Sequence, residues 1–188
     1  MEPRDGLAAH LLIATPAMAD PRFARAVIYL CAHTPEGAMG LIVNKPAADV
    51  EFGDLLDQLG LPHGPGVDAI RVRFGGPVEL GRGFVLHSTD YPGTEATMRI
   101  DAETAMTATT EILASIAGGT GPERMLFALG YAGWGPGQLD AEIAQNAWLV
   151  AEARRDIVFD AEDGSKWTRA LAVLGIDPLM LSPVQGRA

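Results

Sequence analysis

The sequence predicts an α+β domain, and three observations lead to that class. Two apolar segments rich in β-branched residues lie near the N-terminus and are separated by a four-residue turn, which is typical of a β-hairpin. Helical segments come later and are interspersed with further strands, which favours α+β over a doubly wound parallel sheet. The 188 residues contain no linker, repeat or low-complexity tract, so we expect one compact domain over residues 1–188.

The N-terminal part predicts one strand, a hairpin and a helix. Proline after an aspartate favours a short helical turn, and a glycine followed by a proline favours the end of a helix. The predicted elements are a strand at Ala9–Ala14, a helical turn at Asp20-Pro21, hairpin strands at Ala26–His33 and Ala38–Asn44, and a helix from Asp49 or Glu51 to Leu59.

The rest of the chain predicts alternating strands and helices, with apolar residues at helical spacing in three segments. The predicted strands are Ile70–Phe74, Gly83–Ser88, Met98–Ile100, Arg124–Ala132, Trp148–Ala153 and Asp156–Asp160. The predicted helices start at Asp101 and end at Ala117, run over Leu139–Trp148, and start after Ser165 and end before Gly175. We expect the last ten residues to form a loosely held tail.

Composition indicates an acidic protein of the cytosol. The net charge is −10 and hydrophobic residues make up 48% of the chain, so a large core is possible and nucleic-acid phosphates are repelled. The single cysteine, Cys31, excludes an internal disulfide and suits a reducing compartment. The N-terminus lacks the charged-then-apolar order of a signal peptide, and no apolar run reaches the ~18 residues of a membrane span. We therefore expect a cytoplasmic protein without membrane contact.

The most distinctive segment is Gly130-Tyr-Ala-Gly-Trp-Gly-Pro-Gly137, which we interpret as a glycine-rich loop at the start of a helix. Such a loop lets a ligand approach the backbone closely. Trp134 either plugs a pocket or offers a stacking surface. The polar residues of the following helix recur every fourth position and form either a site or a solvated face. The candidate ligand-binding residues here are Tyr131, Gly133, Trp134, Gln138, Glu142 and Asn146.

Two other turns follow predicted strands. Asn44-Lys45-Pro46 ends a buried strand with one of only two lysines, so it either binds an anion or serves turn chemistry alone. Gly75-Gly76-Pro77 lacks the Lys-Ser/Thr of a phosphate-binding loop, and we interpret it as a tight turn against a neighbour, with ligand contact as the alternative. Asn44, Lys45, Gly75 and Gly76 complete the candidate ligand-binding set.

A metal site is not expected. Cys31 and His33 share a face of a predicted strand, and His87 ends another, but these three residues lack the spacing of zinc ligands. We also expect no cofactor, and the catalytic residues, if the protein is an enzyme, stay unassigned. Ser88 lacks the Gly-x-Ser-x-Gly context of a nucleophile elbow.

Several segments, in order over nearly the whole chain, closely resemble the bacterial YqgE/AlgH family. They are Leu12–Pro21, Phe23–Arg25, Val27–Cys31, Gly37–Asn44, Gly75–Glu79, Gly83–Ser88, Gly130–Trp134, Gly137–Leu139, Asn146–Trp148 and Leu174–Asp177. The resemblance implies a bifurcated or barrel-like mixed β-sheet surrounded by helices. It also implies a bacterial, cytosolic protein with a role in transcriptional regulation. The family carries the regulator label because one of its members is associated with alginate gene regulation, and no motif in this sequence supplies that label. The family pattern ends near Gly-His-Ala, whereas Arg187 stands at the histidine position here.

Three functions are compatible with these observations. The first is a regulator that acts through an unidentified protein partner or a small molecule, with direct DNA binding disfavoured because no basic patch is present. The second is a small-molecule-binding protein or enzyme whose pocket combines the Asn44–Pro46, Gly75–Pro77 and Gly130–Gln138 turns. The third is purely structural, with the glycines and prolines serving a demanding fold. We lean away from catalysis.

Overall fold

The computed structural model describes residues 6–181 and has nine strands and five α-helices in that range. The strands are His10–Ala14 (β1), Val27–Thr34 (β2), Gly37–Ile42 (β3), Val72–Phe74 (β4), Val78–Ser88 (β5), Thr97–Arg99 (β6), Thr104–Thr107 (β7), Met125–Trp134 (β8) and Trp148–Glu152 (β9). The helices are Phe52–Gln58 (α1), Thr110–Ala117 (α2), Gln138–Ala144 (α3), Arg155–Val158 (α4) and Lys166–Val173 (α5), and short 3₁₀ helices lie at Pro21–Phe23, Pro65–Ala69 and Pro178–Met180.

All nine strands belong to one sheet that curls into a half-barrel. Eight of them follow the order β6-β7-β5-β8-β3-β2-β1-β9, and β4 pairs with β8 outside this order. Strand β8 is the point at which the sheet divides. Its Phe127–Leu129 segment pairs in parallel with β4, and its Ala132–Trp134 segment pairs antiparallel with β3. The predicted α+β class and the bifurcated, mixed sheet are therefore confirmed.

The predicted hairpin is confirmed as β2 and β3. Thr34 pairs with Gly37, so only Pro35 and Glu36 form the connection. Period-two alternation then places successive side chains of the neighbouring β1 on opposite faces of the sheet. Leu11 and Ile13 pack in the core that α5 covers, whereas Leu12 and Ala14 pack in the core that includes Trp134 and Trp148. A third core lies between the β4–β5–β8 part of the sheet and helices α1 and α2.

The helix predicted from Asp101 to Ala117 is wrong in its first half. Thr104–Thr107 is strand β7, which pairs with both β5 and β6, and α2 begins only at Thr110. The Asp101 carboxylate accepts the backbone N–H groups of Glu103 and Thr104, both at 2.8 Å. The same bonds would be found at a helix start, but here they form a turn that leads into a strand.

Other boundaries also differ from the sequence predictions, and β5 begins at Val78 rather than at the predicted Gly83. The segment predicted as a strand at Asp156–Asp160 is largely helix α4, and the helix predicted over Leu139–Trp148 ends at Ala144. Asn146 has a positive φ of 63°, which turns the chain so that Trp148 begins β9. Tertiary pairing of β9 with β1 therefore decides this boundary.

No helix within residues 6–181 combines the length and the apolar character that a membrane span requires. The predicted tail lies mostly outside the described residues, as does Arg187.

Candidate functional site

The glycine-rich segment packs inward rather than forming the loop that we predicted. Strand β8 continues through Gly133 and Trp134, which pair with Met39 and Ala38 of β3. Only the residues 135–137 form a turn, and Gly137 takes a left-handed φ of 70° directly before α3. The Trp134 side chain is 8% exposed and belongs to a hydrophobic core. The strand and the helix thus hold Trp134 in a fixed position.

Glu142 is the centre of a hydrogen-bond cluster on α3. Its Oε1 atom accepts the indole N–H of Trp134 at 3.1 Å and that of Trp148 at 2.9 Å. Its Oε2 atom accepts the side-chain amide of Gln138 at 2.9 Å. The Gln138 carbonyl in turn accepts the backbone N–H of Gly135 at 3.0 Å, which closes the turn before the helix. A carboxylate with three donors is held in one orientation.

Aromatic rings stack edge to face behind this cluster. The rings of Trp134 and Trp148 have centroids 6.1 Å apart at an interplanar angle of 77°. Phe23 meets Trp148 in the same way at 5.8 Å and 70°. This geometry is the favourable one for aromatic pairs. It connects β8 and β9 to the 3₁₀ helix at Pro21–Phe23.

A cavity of about 550 Å³ opens beside Glu142, and we call it the Trp134 cavity. Asp20 and Arg22 form an ion pair at its wall, with 2.7 Å between Arg22 Nη2 and Asp20 Oδ2. Hydrogen bonds from the Arg22 side chain and backbone N–H lower the pKa of Asp20, so its carboxyl is ionised at neutral pH. The other residues that line the Trp134 cavity include Met18, Phe23, Pro77, Val78, Gly133, Trp134, Gln138 and Gln145.

A second, larger cavity of about 730 Å³ lies between the β2–β3 turn and β5, and we call it the β5 cavity. Its wall contains Phe84 and Tyr131, whose rings meet edge to face at 5.6 Å. The Arg82 guanidinium lies 5.3 Å from the centre of the Phe84 ring. Both cavities share Val78, Gly133 and Trp134 in their linings.

Five of the candidate residues that we predicted line these cavities. Gly133 and Trp134 line both, Tyr131 lines the β5 cavity, and Gln138 and Glu142 line the Trp134 cavity. Sequence reasoning missed Asp20 and Arg22. Their ion pair leaves no local signal that separates it from ordinary helix capping, because Asp20 also accepts the Arg22 backbone N–H.

The two remaining turns bond to the protein itself. The Asn44 side chain accepts the N–H of Val27 and donates to the Arg25 carbonyl, both at 2.9 Å. Lys45 Nζ donates to the Ala24 carbonyl at 2.8 Å, and partial burial lowers its pKa. Within the described residues, neither side chain lines the Trp134 cavity or the β5 cavity.

The Gly75–Gly76 turn packs directly against β8. A Cβ atom added at Gly75 would overlap the Gly130 carbonyl, and one at Gly76 would overlap the backbone of Tyr131. The turn ends at Pro77, which lines the Trp134 cavity. Asn146 lies beyond the end of α3, so it does not continue the polar stripe of Gln138 and Glu142. Its backbone carbonyl accepts a hydrogen bond from the Thr15 hydroxyl at 2.5 Å.

Cys31, His33 and His87 have separate partners. His33 Nδ1 accepts the Leu7 N–H at 3.0 Å, and its Nε2 lies 3.3 Å from Asp140. His87 Nδ1 donates to the Ser88 carbonyl at 2.9 Å, and burial lowers the pKa of this histidine. Within residues 6–181, no cluster of three or more His, Cys, Asp or Glu side chains has the arrangement to hold a metal ion.

Comparison with known proteins shows relatives along the whole chain. The family model described as AlgH-like matches residues 11–179. A UPF0301 protein of Cereibacter sphaeroides is 54% identical over 182 residues, which cover 97% of this chain and 99% of that protein. A UPF0301 protein of Jannaschia sp. is 55% identical over 183 residues, which cover 97% of this chain and 95% of that protein.

Solved structures agree with this assignment. The solution structure of the AlgH protein from Pseudomonas aeruginosa has a TM-score of 0.79 and 41% identity, and the match covers 96% of this chain and 93% of that chain. A crystal structure of a Corynebacterium diphtheriae protein has a TM-score of 0.72 at 22% identity, covering 97% and 95% of the two chains, and supports the fold alone. This chain therefore belongs to the AlgH-like family, as the resemblance of its motifs to YqgE/AlgH proteins predicts.

Proposed function

We propose that this protein is a regulator that acts by contact with a protein or a small molecule at the Trp134 cavity, and not by binding DNA directly. The observation that carries the proposal is the Glu142 carboxylate, which two largely buried indole N–H groups hold at the wall of a preformed cavity. Ligand-binding pockets usually consist of apolar walls with a few polar groups in fixed positions. The regulatory role follows the resemblance to the YqgE/AlgH family.

The rigidity of the cluster supports binding. Glu142, Gln138 and the Gly135 N–H form a continuous chain of hydrogen bonds, and the Trp134 ring packs against Trp148. A group that is already oriented loses little conformational entropy when a ligand arrives. The cavity is therefore organised before any partner is present.

The distribution of cations argues against direct DNA binding. Lys166 is fully buried, and six arginines form ion pairs with carboxylates, which lowers the positive potential available to phosphates. These pairs are Arg22–Asp20, Arg73–Asp163, Arg82–Glu79, Arg154–Asp156, Arg155–Glu103 and Arg169–Asp160.

A second candidate is a small-molecule-binding protein or an enzyme that uses the same cavity. The Trp134 cavity has a volume of about 550 Å³, which falls within the roughly 300–1,000 Å³ of small-molecule sites. Arg22 lowers the pKa of the Asp20 carboxyl, so this group is suited to holding a charge rather than to transferring a proton at neutral pH. Binding is therefore the better supported of these two activities.

The experiment uses Gly133→Leu, which adds a side chain at a residue that lines both cavities. An added Cβ would lie 3.2 Å from the Tyr131 ring, which lines the β5 cavity, and 3.9 Å from Val78, which lines both, so the side chain is added where the two cavities meet. Gly64→Leu is the matched control, because a Cβ there meets nothing within 4 Å. Val78→Trp is a second blocking variant in case Gly133→Leu folds poorly.

The readout is the melting temperature in the presence of nucleotides, amino acids, polyamines and pooled short random peptides, since a ligand that binds the folded state raises it. We expect at least one probe to stabilise the wild type and Gly64→Leu but not the blocking variants. Anisotropy of a labelled mixed-sequence DNA duplex is measured in parallel at low salt. Salt-sensitive DNA binding that the blocking variants retain, or no stabilisation by any probe, contradicts the proposal.

A further inference from the structure

We infer that the Trp134 cavity and the β5 cavity form a single groove that binds an extended, positively charged peptide segment of a partner protein. The inference rests on the function proposed above and names the class of partner. It follows from the continuity, the size, the charge and the apolar walls of the groove.

The two cavities adjoin each other. Val78, Gly133 and Trp134 occur in both linings, so the two cavities meet at these three residues. Their volumes of about 730 and 550 Å³ together exceed the roughly 300–1,000 Å³ of a typical small-molecule pocket. A longer ligand that lies across Gly133 fills this space better than a single metabolite.

The groove carries a net negative charge. Its lining contains the four carboxylates of Asp20, Glu36, Glu79 and Glu142 and the two guanidiniums of Arg22 and Arg82, which leaves a charge of −2. Arg22 pairs with Asp20 and Arg82 with Glu79. Among the described residues, Glu36 in the β5 cavity and Glu142 in the Trp134 cavity have no ion-pair partner. Each section of the groove therefore contains one carboxylate whose charge no described cation neutralises, although the Glu142 oxygens also accept three neutral N–H donors.

The β5 side of the groove is a bulged segment with exposed apolar side chains. Val78 pairs with Tyr131 and Gly83 with Leu129, so residues 79–82 oppose Gly130 alone and project from the sheet. Val78, which lines both cavities, is 36% exposed, and Leu80, which lies outside both linings on the same bulge, is 55% exposed. Lysine and arginine side chains bury their aliphatic stems on such surfaces while the charged head reaches a carboxylate. Apolar walls beside carboxylates thus favour a basic peptide over a free inorganic cation.

The test selects ligands from a phage-displayed library of short random linear peptides on the immobilised 188-residue chain. We expect the selected sequences to contain two or more basic residues next to an apolar one. A labelled synthetic copy of the strongest binder should lose at least about tenfold in affinity with Gly133→Leu or Val78→Trp, and Gly64→Leu should bind like the wild type. Its affinity should fall as salt increases.

Charge is tested separately with Glu36→Gln and Glu142→Gln, which we expect to weaken binding by roughly fivefold each. Glu152→Gln removes the same charge from β9, outside the groove, and should have no effect. Enrichment of acidic or purely apolar peptides, or equal binding by the blocking variants, overturns the inference. If instead a small molecule stabilises the wild type and not Gly133→Leu while no basic peptide is selected, the proposed function stands and this inference fails.

Discussion

Lys166 and Asp163 form an ion pair that is almost completely buried: Nζ lies 3.2 Å from Oδ1, and the side chains are 0% and 7% exposed. Lys166 Nζ also donates to the carbonyls of Val43 and Val158, at 2.9 and 3.0 Å. Arg73 bonds to the same Asp163 oxygen at 3.1 Å. One carboxylate therefore compensates two cations and connects the end of β3, strand β4 and helix α5.

Asp163→Asn should destabilise the protein strongly. The substitution leaves Lys166 and Arg73 buried without their carboxylate, and breaking a buried pair in this way costs about 3–5 kcal/mol. The measurement is the free energy of unfolding in urea. Asp156→Asn is the matched control, because its pair with Arg154 is 60% and 56% exposed and should contribute less than about 1 kcal/mol. Similar losses of unfolding free energy in both variants would show that burial does not determine how much an ion pair contributes to stability.

The pKa of Lys166 should lie well below that of an ordinary lysine. Burial lowers it to about 8, with a further contribution from Arg73 that Asp163 partly offsets. Because the chain has only two lysines, ¹³C-lysine labelling gives two side-chain signals, and Lys45→Arg assigns them. We expect the Lys166 signal to titrate near pH 8; titration at the ordinary value of 10.5 contradicts the prediction.

The sign of the stability effect follows from this titration. Between about pH 8 and 10.5 the folded state has lost the Lys166 proton while the unfolded state keeps it. The unfolded state then binds more protons, so the Lys166 contribution to the free energy of unfolding rises with pH across this window. Its full size is on the order of 3 kcal/mol.

Lys166 also shows where local sequence reasoning stops. It follows Ser165 in the first turn of a predicted helix, a position that is usually solvated. Its burial depends on Val43, which is 123 residues away in the sequence. By contrast, the β2–β3 hairpin, α1 and α5 were predictable because their apolar periodicity and their turn residues are local signals.

Cys31 should resist thiol reagents in the native protein. Burial raises the pKa of its thiol to about 12, so the reactive thiolate is scarce at pH 8, and the side chain is almost inaccessible. We expect iodoacetamide labelling, followed by mass spectrometry, to proceed only at the rate of unfolding. The protein in urea serves as the control and should react quickly. Rapid labelling under native conditions would mean that β2 opens locally.

Gly76→Ala should destabilise the protein by several kcal/mol or prevent folding. Gly76 has a φ of 154°, and an added Cβ would overlap the backbone of Tyr131 and Ala132, which cannot move without disrupting β8. Gly64→Ala is the control, since its Cβ would meet nothing within 4 Å. Melting temperatures of the two variants test the interpretation of this turn as a close-packed one. A small loss at Gly76 would favour the alternative, a ligand contact.

The candidate site was only partly predictable. The local sequence identified Trp134 and the Gln138–Glu142 stripe as candidate site residues, but it predicted a loop at Gly130–Gly137. In the structure, Gly133 and Trp134 pair with β3 and belong to a strand. Nothing in the local sequence indicates that Trp148 shares an acceptor with Trp134, because Trp148 reaches Glu142 only after the chain turns at Asn146. Pairing between distant strands decides both features.

Glu142→Leu should destabilise the protein more than Glu142→Gln. Leucine leaves the largely buried N–H groups of Trp134 and Trp148 without an acceptor, and each unsatisfied donor costs about 1–3 kcal/mol. Glutamine keeps one oxygen that can accept both N–H groups, so its loss should be smaller by about 2 kcal/mol. Urea unfolding followed by tryptophan fluorescence measures both, and Trp167→Phe as a background removes the third indole. Equal stability of the two variants would mean that water replaces the carboxylate as the acceptor, and the site would then be less rigid than its hydrogen bonds indicate.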